Sequence, residues 1–466
     1  MYNNLLSNII LNTDSYKVSH FKQYPKNTQY VSSYIESRGG TYGSVIFFGL
    51  QAFIKEYLLK PITADDIDAA EDILLSHGLP FNRAGWEYIL TEHSGYLPLE
   101  IEAADEGCSI PVHNVLVQVV NTDPKCWWLT SYIETALLRA IWYPTTVASI
   151  SWQVKQTIAW AMEATGSDIN NLPFKLHDFG ARGVSSLESA ALGGMAHLIN
   201  FMGTDTLAAL LAARRYYNAD MAGYSIPAME HATVTSWGAD GEIEAFANML
   251  DNYGGKGKIM ACVSDSYDIF NAVENIWCGV LLEKVKNSGA TVVIRPDSGD
   301  PEAVILRCLD ILGEQLKDEI IINDKGYRML PDYFRLIQGD GVNPETIKSI
   351  LSAMRHHGWA ADNIAFGMGS ALLQKVHRDS FKFAMKCSAL KRDNKWIDVY
   401  KDPITDRGKT SKKGRLALIK DKAYNYKTIR IKTLENKADN LLKPIYKDGK
   451  LLTETSFNEI RARAAQ

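Results

Sequence analysis

The 466 residues carry a formal net charge of −4 and are 46% hydrophobic and 22% charged, the profile of a soluble globular chain with room for more than one domain. That balance gives no reason to expect nucleic acid or an anionic membrane as partner, so any anion site must be built locally. The six cysteines (Cys108, Cys126, Cys262, Cys278, Cys308 and Cys387) are scattered, without a C-x-x-C pair and mostly in apolar runs, which predicts buried free thiols and a reducing compartment. Residues 1–10 lack the basic start and long apolar core of a signal peptide. No run approaches the ~18 apolar residues of a membrane span, so a cytoplasmic location is the default expectation.

In chain order, Asp14 precedes the segment SYKVSHF and is read as a helix N-cap with an acidic start. Residues 31–38 alternate like a half-buried strand, and 64–75 and 85–90 carry helical spacing. Residues 97–103 and 110–120 are the next strands, which with the Tyr30 region predict a mostly antiparallel unit. From 127 to 165 the pattern is helical, its tryptophans and tyrosines forming a core face.

After Lys175 short apolar runs that end in polar, Gly-rich punctuation alternate with helical patterns. The series is KLHDFG (175–180), MGTD (202–205), GYSIPAMEH (223–231), KIMACVSDS (258–266), TVVIRPDSG (291–299), FRLIQGDG (334–341) and NIAFGMGS (363–370). Asp265, Asp297, Asp340 and Gly367 stand 32, 43 and 27 residues apart, a spacing of successive βα units. Repeated polar strand ends predict an α/β barrel with its site at the C-terminal rim, a flat doubly wound sheet being the alternative. Beyond Lys375 strand-like pieces at 382–390 and 396–400 precede a basic loop, 407–415, and are expected to return to the N-terminal unit. The expected division is 1–150 with 380–466 as one α+β domain and 151–379 as the other.

Several residues at these strand ends suit chemistry. The GDG of Gly339, Asp340 and Gly341 and the GMGS of Gly367, Gly369 and Ser370 each lie between strand and helix, where backbone N–H groups and a helix dipole can cradle phosphate; a plain tight turn is the competing reading. Asp178, Asp265, Asp297 and Asp340 fall at strand ends and Asp205 at a helix start, which suits ribose hydroxyls or Mg2+-phosphate, or simply caps and ion pairs. His231 is read as a general base, nucleophile or cap. His177 and Phe179 pack in the core or stack on a flat ligand. Arg182 and Arg295 supply permanent charge suited to bidentate phosphate contacts.

The segments TDSYKVSHFKQYP (13–25), KLHDFGARGVSS (175–186), GTDT (203–206), GYSIPAMEH (223–231), VSDSYDI (263–269), IRPDSGDP (294–301), IQGDGV (337–342), LLQK (372–375) and SKKGR (411–415) resemble, in a consistent order, the nicotinamide phosphoribosyltransferase family. The resemblance implies a type II phosphoribosyltransferase fold, a barrel-like domain packed with an antiparallel α+β domain, and a homodimer with active sites at its interface. It implies transfer of phosphoribosyl from phosphoribosyl pyrophosphate to nicotinamide in NAD salvage, with Mg2+ and with ATP hydrolysis coupled through phosphorylation of an active-site histidine.

By the same match that histidine is His231, oriented by Asp265, with Asp265 and Asp297 possible Mg2+ contacts through water. Phe179 would stack on the pyridine ring, Tyr16 of the other subunit would close the opposite face, Asp205 would accept from the carboxamide nitrogen near Arg295, and Ser225 would lie close to the ring. Arg182 and Asp297 would act on diphosphate and ribose, and the Gly339 and Gly367 loops, with Asp340, Gly341, Gly369 and Ser370, on the 5′-phosphate. Arg38, Arg378, Lys386, Lys401, Lys409 and Arg415 match the basic set around the nucleotide phosphates. This chain departs from the glycine-richer family loop at Ser370 and Ala371. The rival enzyme is a nicotinate phosphoribosyltransferase, against which Asp205 argues by like charge. A non-catalytic dimeric binding protein is the rival of another class.

Overall fold

The computed structural model describes residues 7–466, apart from the side chain of Arg407. Most of the 1–10 stretch and that arginine of the basic loop lie outside the described residues. The chain divides into two compact units, residues 1–149 with 213–219 and 377–466, and residues 150–212 with 220–376. No helix among the described residues is long and apolar enough to cross a membrane.

The first unit is built on a seven-stranded sheet in the order Lys395–Asp398, Phe383–Arg392, Thr28–Ser37, Val115–Asn121, Leu99–Ala103, Lys443–Lys447, Lys450–Leu451. All its pairings are antiparallel. The C-terminal tail thus supplies strands on both flanks of the N-terminal ones, and Val31, Ile35, Leu99, Ile101, Val117 and Val119 are buried beneath. The single strand expected over 110–120 is two, because His113 takes a positive φ of 66°. Ser109–Pro111 pairs with Ser44–Ile46 in a separate small sheet, and only Val115–Asn121 enters the large one. Asp14 is also not the expected cap. It precedes a 3-10 helix, Ser15–Lys22, without a side-chain cap bond, and its carboxylate accepts from Thr135 Oγ1 at 2.6 Å.

The second unit holds six parallel strands in the order Gly203–Thr204, Leu176–Asp178, Ile364–Met368, Phe334–Gln338, Thr291–Arg295, Ile259–Val263. The two edges do not remain open. Tyr224 bridges Gly203 on one edge and Ala228 bridges Ala261 on the other, both in parallel sense. Backbone bonds Thr204 N–H to Tyr224 C=O (3.0 Å) and Ala261 N–H to Pro227 C=O (2.9 Å) fix the connection. The GYSIPAM segment is therefore an irregular seventh stave; Pro227 has no N–H to donate, which keeps it from forming a regular strand. Closure makes this unit the expected barrel rather than the flat sheet.

Helices follow the staves with side-chain caps where the sequence has them. Ser186 accepts from Ser189 N–H, Asp300 from Ala303 N–H, and Asn343 from Glu345 and Thr346 N–H. The helix after Gly203–Thr204 begins at Leu207, so Asp205 does not open it. The six cysteines are all free, four of them buried.

Candidate active site

An apolar cluster of Ala261, Val293 and Ile337, with Phe179, Ile226 and Ala365 packed against it, fills part of the barrel. Beside it runs a cavity of about 470 Å³ lined by Phe179, Asp205, Ser225 and Arg295 among others. Thr291 and Arg295, the first and last residues of one strand, both line it. It therefore runs along the barrel for roughly 13 Å, four strand steps. At the end where strands begin it is polar, with Lys175, Asp332, Arg335 and Asp362.

At the C-terminal end, Phe179 follows Asp178 and is held by its N–H to Met368 C=O at 3.0 Å. Its ring lies against Gly367, where an added Cβ would come within 1.9 Å of the ring. Gly367 is thus buried inside Ile364–Met368 and seats the ring, a correction to its place in a phosphate loop. Asp205 presents a carboxylate to the same cavity, with Oδ1 accepting from Ser225 Oγ at 2.5 Å. Arg182 lines a second hollow, about 570 Å³, together with Asp205. Nε of Arg295 is buried without a hydrogen-bond partner, as is Oε1 of Gln338 at the next strand's end.

His231 begins a five-residue helix and is half exposed. Its Nδ1 lies 3.0 Å from Ser266 Oγ, while Nε2 faces Asp297 Oδ2 at 3.5 Å and Asp265 Oδ1 at 3.8 Å. The hydrogen-bonded orienter is therefore Ser266, with Asp265 set back. Asp265 is nearly buried; its Oδ2 accepts from Asp297 N–H at 2.9 Å and from Ser298 Oγ, and its Oδ1 has no hydrogen-bond partner. Asp297 has its pKa raised, by burial first, with Asp265 and Asp340 adding to it and Arg295 and His231 opposing. Two carboxylates facing His231, with Asp340 acting on one of them, make a place that favours cations.

Two readings change for the remaining residues. Asp178 is fully buried; its Oδ1 accepts from Gly180 N–H at 2.7 Å, and burial pushes its pKa to about 6, so it supports the rim without reaching a ligand. The helix-dipole cradles are weaker than the pattern implied. Asn343 already takes the first N–H groups of Pro344–His356, and the helix beyond Gly369, Ser370–Leu373, has four residues. What remains at Asp340, Gly341 and Gly369 is loop backbone, with Asp340 exposed and Gly341 at φ +66°. Ser370 Oγ points at Gly183 C=O, 3.4 Å away. His177 packs inward, its Nε2 donating to Phe174 C=O at 3.0 Å, and burial lowers its pKa.

The other sequence candidates belong to the first unit. Tyr16 is 59% exposed, its ring edge-on to His20. Lys386 has its pKa lowered by burial and by Arg38, Lys17 and Lys401, against Glu134, so these cations are gathered. Arg38 is anchored on Glu36 at 3.0 Å. Arg378 pairs with Asp379, Lys409 with Asp406, and Arg415 lies over Trp396. Pattern reading missed Ser266, Gln338 and the Ser225 to Asp205 bond. The adjacent serine in VSDS was the available signal for the first.

Residues 174–450 match the nicotinate phosphoribosyltransferase (NAPRTase) family, and 8–101 match the nicotinamide phosphoribosyltransferase N-terminal domain. The chain belongs to this family of pentosyltransferases. Its branch is that of the nicotinamide phosphoribosyltransferases, for the relative so named from Xanthomonas campestris is 53% identical across 98% of each chain. One of the same name from Acinetobacter baylyi is 31% identical over 97% and 96%. The fold recurs in nicotinate-nucleotide pyrophosphorylase from Pyrococcus furiosus, TM-score 0.62 at 17% identity, covering 100% of this chain and 96% of that one. Human nicotinic acid phosphoribosyltransferase superposes with a TM-score of 0.56 at 15% identity, covering 97% and 93%.

Proposed function

We propose that the protein joins nicotinamide to phosphoribosyl pyrophosphate, giving nicotinamide mononucleotide and pyrophosphate in NAD salvage, with ATP hydrolysis coupled through a phosphohistidine at His231. The observation that carries the amide preference is the end of the barrel cavity, where Phe179 offers a ring face and Asp205 a carboxylate whose Oδ1 is already held by Ser225. Asp205 accepts from an amide N–H, whereas nicotinate's carboxylate meets like charge. One unfavourable pKa unit alone is about 1.4 kcal/mol, roughly tenfold.

The ring nitrogen of nicotinamide carries no proton, so the nucleophile needs positioning and no base. As the glycosidic bond to pyrophosphate breaks, positive charge grows at the ribose carbon, where Asp297 favours it, and negative charge grows on the leaving group, where Arg182 counters it. The oxygen donors at Asp265 and Asp297, one of them buried without a partner, fit Mg2+ held directly or through water. Bound there, Mg2+ would neutralise phosphate charge. The loops at Gly339 to Gly341 and Gly369 to Ser370 take the 5′-phosphate, and the cations around Lys386 take nucleotide phosphates. The working form is a cytoplasmic homodimer in which the partner's Tyr16 closes the pyridine slot.

The test is incubation of purified protein with nicotinamide or nicotinate, phosphoribosyl pyrophosphate and Mg2+, with and without ATP, with mass detection of the mononucleotide. Nicotinamide should be preferred by more than about tenfold in kcat/KM, and ATP should stimulate turnover. Comparable kcat/KM for the acid would sink the assignment.

A further inference from the structure

We infer that the first unit carries a site for a thiophilic divalent cation, of the Zn2+ class, formed by His93, Asp123 and Cys126. One ligand atom from each lies within 4.8 Å of the others. They come from two elements: His93 ends the helix Arg83–Glu92, while Asp123 and Cys126 bracket the 3-10 turn Pro124–Cys126. His93 Nε2 is 3.0 Å from Asp123 Oδ2. Tetrahedral zinc with nitrogen and oxygen ligands at about 2.0–2.1 Å requires roughly 3.3 Å between them, so a small opening admits the ion. Sulfur, at about 2.3 Å from the metal, must draw in by up to roughly 1.3 Å.

The donor set selects the metal. Imidazole and thiolate suit Zn2+ and exclude Mg2+ and Ca2+, which seek oxygen. Cys126 is the unusual member. It is completely buried, and its thiol makes no hydrogen bond among the described residues. His93 and Asp123 are partly exposed and form the entrance. The surroundings already orient the carboxylate: Lys125 N–H donates to Oδ1 at 2.7 Å and Tyr88 Oη–H to Oδ2 at 3.0 Å. These are the outer contacts that metal ligands need to hold their direction. The cation of Lys125 is held over the Tyr88 ring, 4.5 Å from its centroid.

On binding, the hydrogen bond between His93 and Asp123 breaks, the thiol proton passes to solvent, and metal bonds to sulfur, nitrogen and oxygen form, with water in the fourth position. The result is a clasp between a helix end and a neighbouring turn.

Cobalt reports on it directly. Metal-free full-length protein titrated with Co2+ should develop a near-ultraviolet thiolate-to-cobalt charge-transfer band that saturates at one equivalent and is bleached by Zn2+. Cys126→Ser should abolish the band. His93→Gln, at a partly exposed ring, should weaken cobalt binding by about tenfold or more while leaving the metal-free melting temperature near the parent's. Absence of the band in the parent, or its persistence in Cys126→Ser, overturns the inference. If Cys126→Ser does not fold, His93→Gln decides: unchanged cobalt affinity there overturns it and a loss supports it.

Discussion

Gly367 has no side chain because the Phe179 ring occupies the place where one would stand. Replacing it with alanine forces the ring out of the slot, since backbone on both sides belongs to the strand Ile364–Met368. Overpacking of this kind costs about 1–3 kcal/mol. Gly367→Ala should therefore lower the melting temperature and raise KM for nicotinamide by at least about tenfold. The double variant Gly367→Ala with Phe179→Ala separates the two effects: stability should recover while KM stays high. A single variant that matches the parent in KM would mean the ring does not carry the substrate. The sequence pattern made Gly367 a phosphate glycine, because a glycine at a strand end looks the same whether it clears room for a ligand or for a neighbouring ring. Ser266 was hidden for a related reason. A hydroxyl reaching back across 35 residues to His231 leaves no periodic trace.

At the scale of elements, strand interiors and capped helices were legible and irregular joins were not. The segments 64–75 and 85–90 reappear as Ala64–Ser76 and Arg83–Glu92, because apolar spacing and Thr63 or Asn82 caps specify them locally. The GYSIPAM stave was visible only as punctuation, since its two bridges depend on edges supplied by distant strands. A buried helix start in the first unit is likewise tertiary in origin. Gly49 and Leu50 N–H groups donate to Glu106 Oε1 at 2.6 and 2.7 Å, and Tyr217 Oη–H donates at 3.1 Å. Burial outweighs these donors and raises the Glu106 pKa from 4.5 to about 7. A raised carboxyl pKa means the folded state holds its proton more tightly than the unfolded chain. The contribution is present below the unfolded value and is lost as pH rises from about 4.5 through about 7. The loss is at most roughly 3 kcal/mol. Glu106→Gln keeps the accepting oxygen and the shape without the titration. Its urea stability should fall less than the parent's between pH 5 and pH 8, on the order of 1 kcal/mol or more. Parallel pH profiles would show that the charged form is fully accommodated.

Across the whole molecule, composition placed the chain among globular proteins and the stave period gave the barrel, whereas the substrate had to come from residues whose roles are set by family likeness. The basic residues gathered around Lys386 and the exposed Tyr16 belong to the first unit, and His231, Phe179 and Asp205 to the second. Whether one site draws on one chain or two is therefore a question of assembly, and a symmetric dimer answers it by counting. A heterodimer is made by co-expressing differently tagged Tyr16→Ala and His231→Ala chains and isolating the mixed species. If the site takes Tyr16 from the partner, one of the two sites combines both lesions and the other combines neither. The purified heterodimer should then regain about half the parental kcat per dimer, although each homodimer is impaired. If Tyr16 serves its own chain, each site carries one lesion and nothing is regained. The His231→Ala homodimer tests the phosphohistidine, because ATP should not stimulate the turnover that it keeps. ATP stimulation equal to the parent's in that homodimer would leave the shared site standing and remove His231 from the coupling.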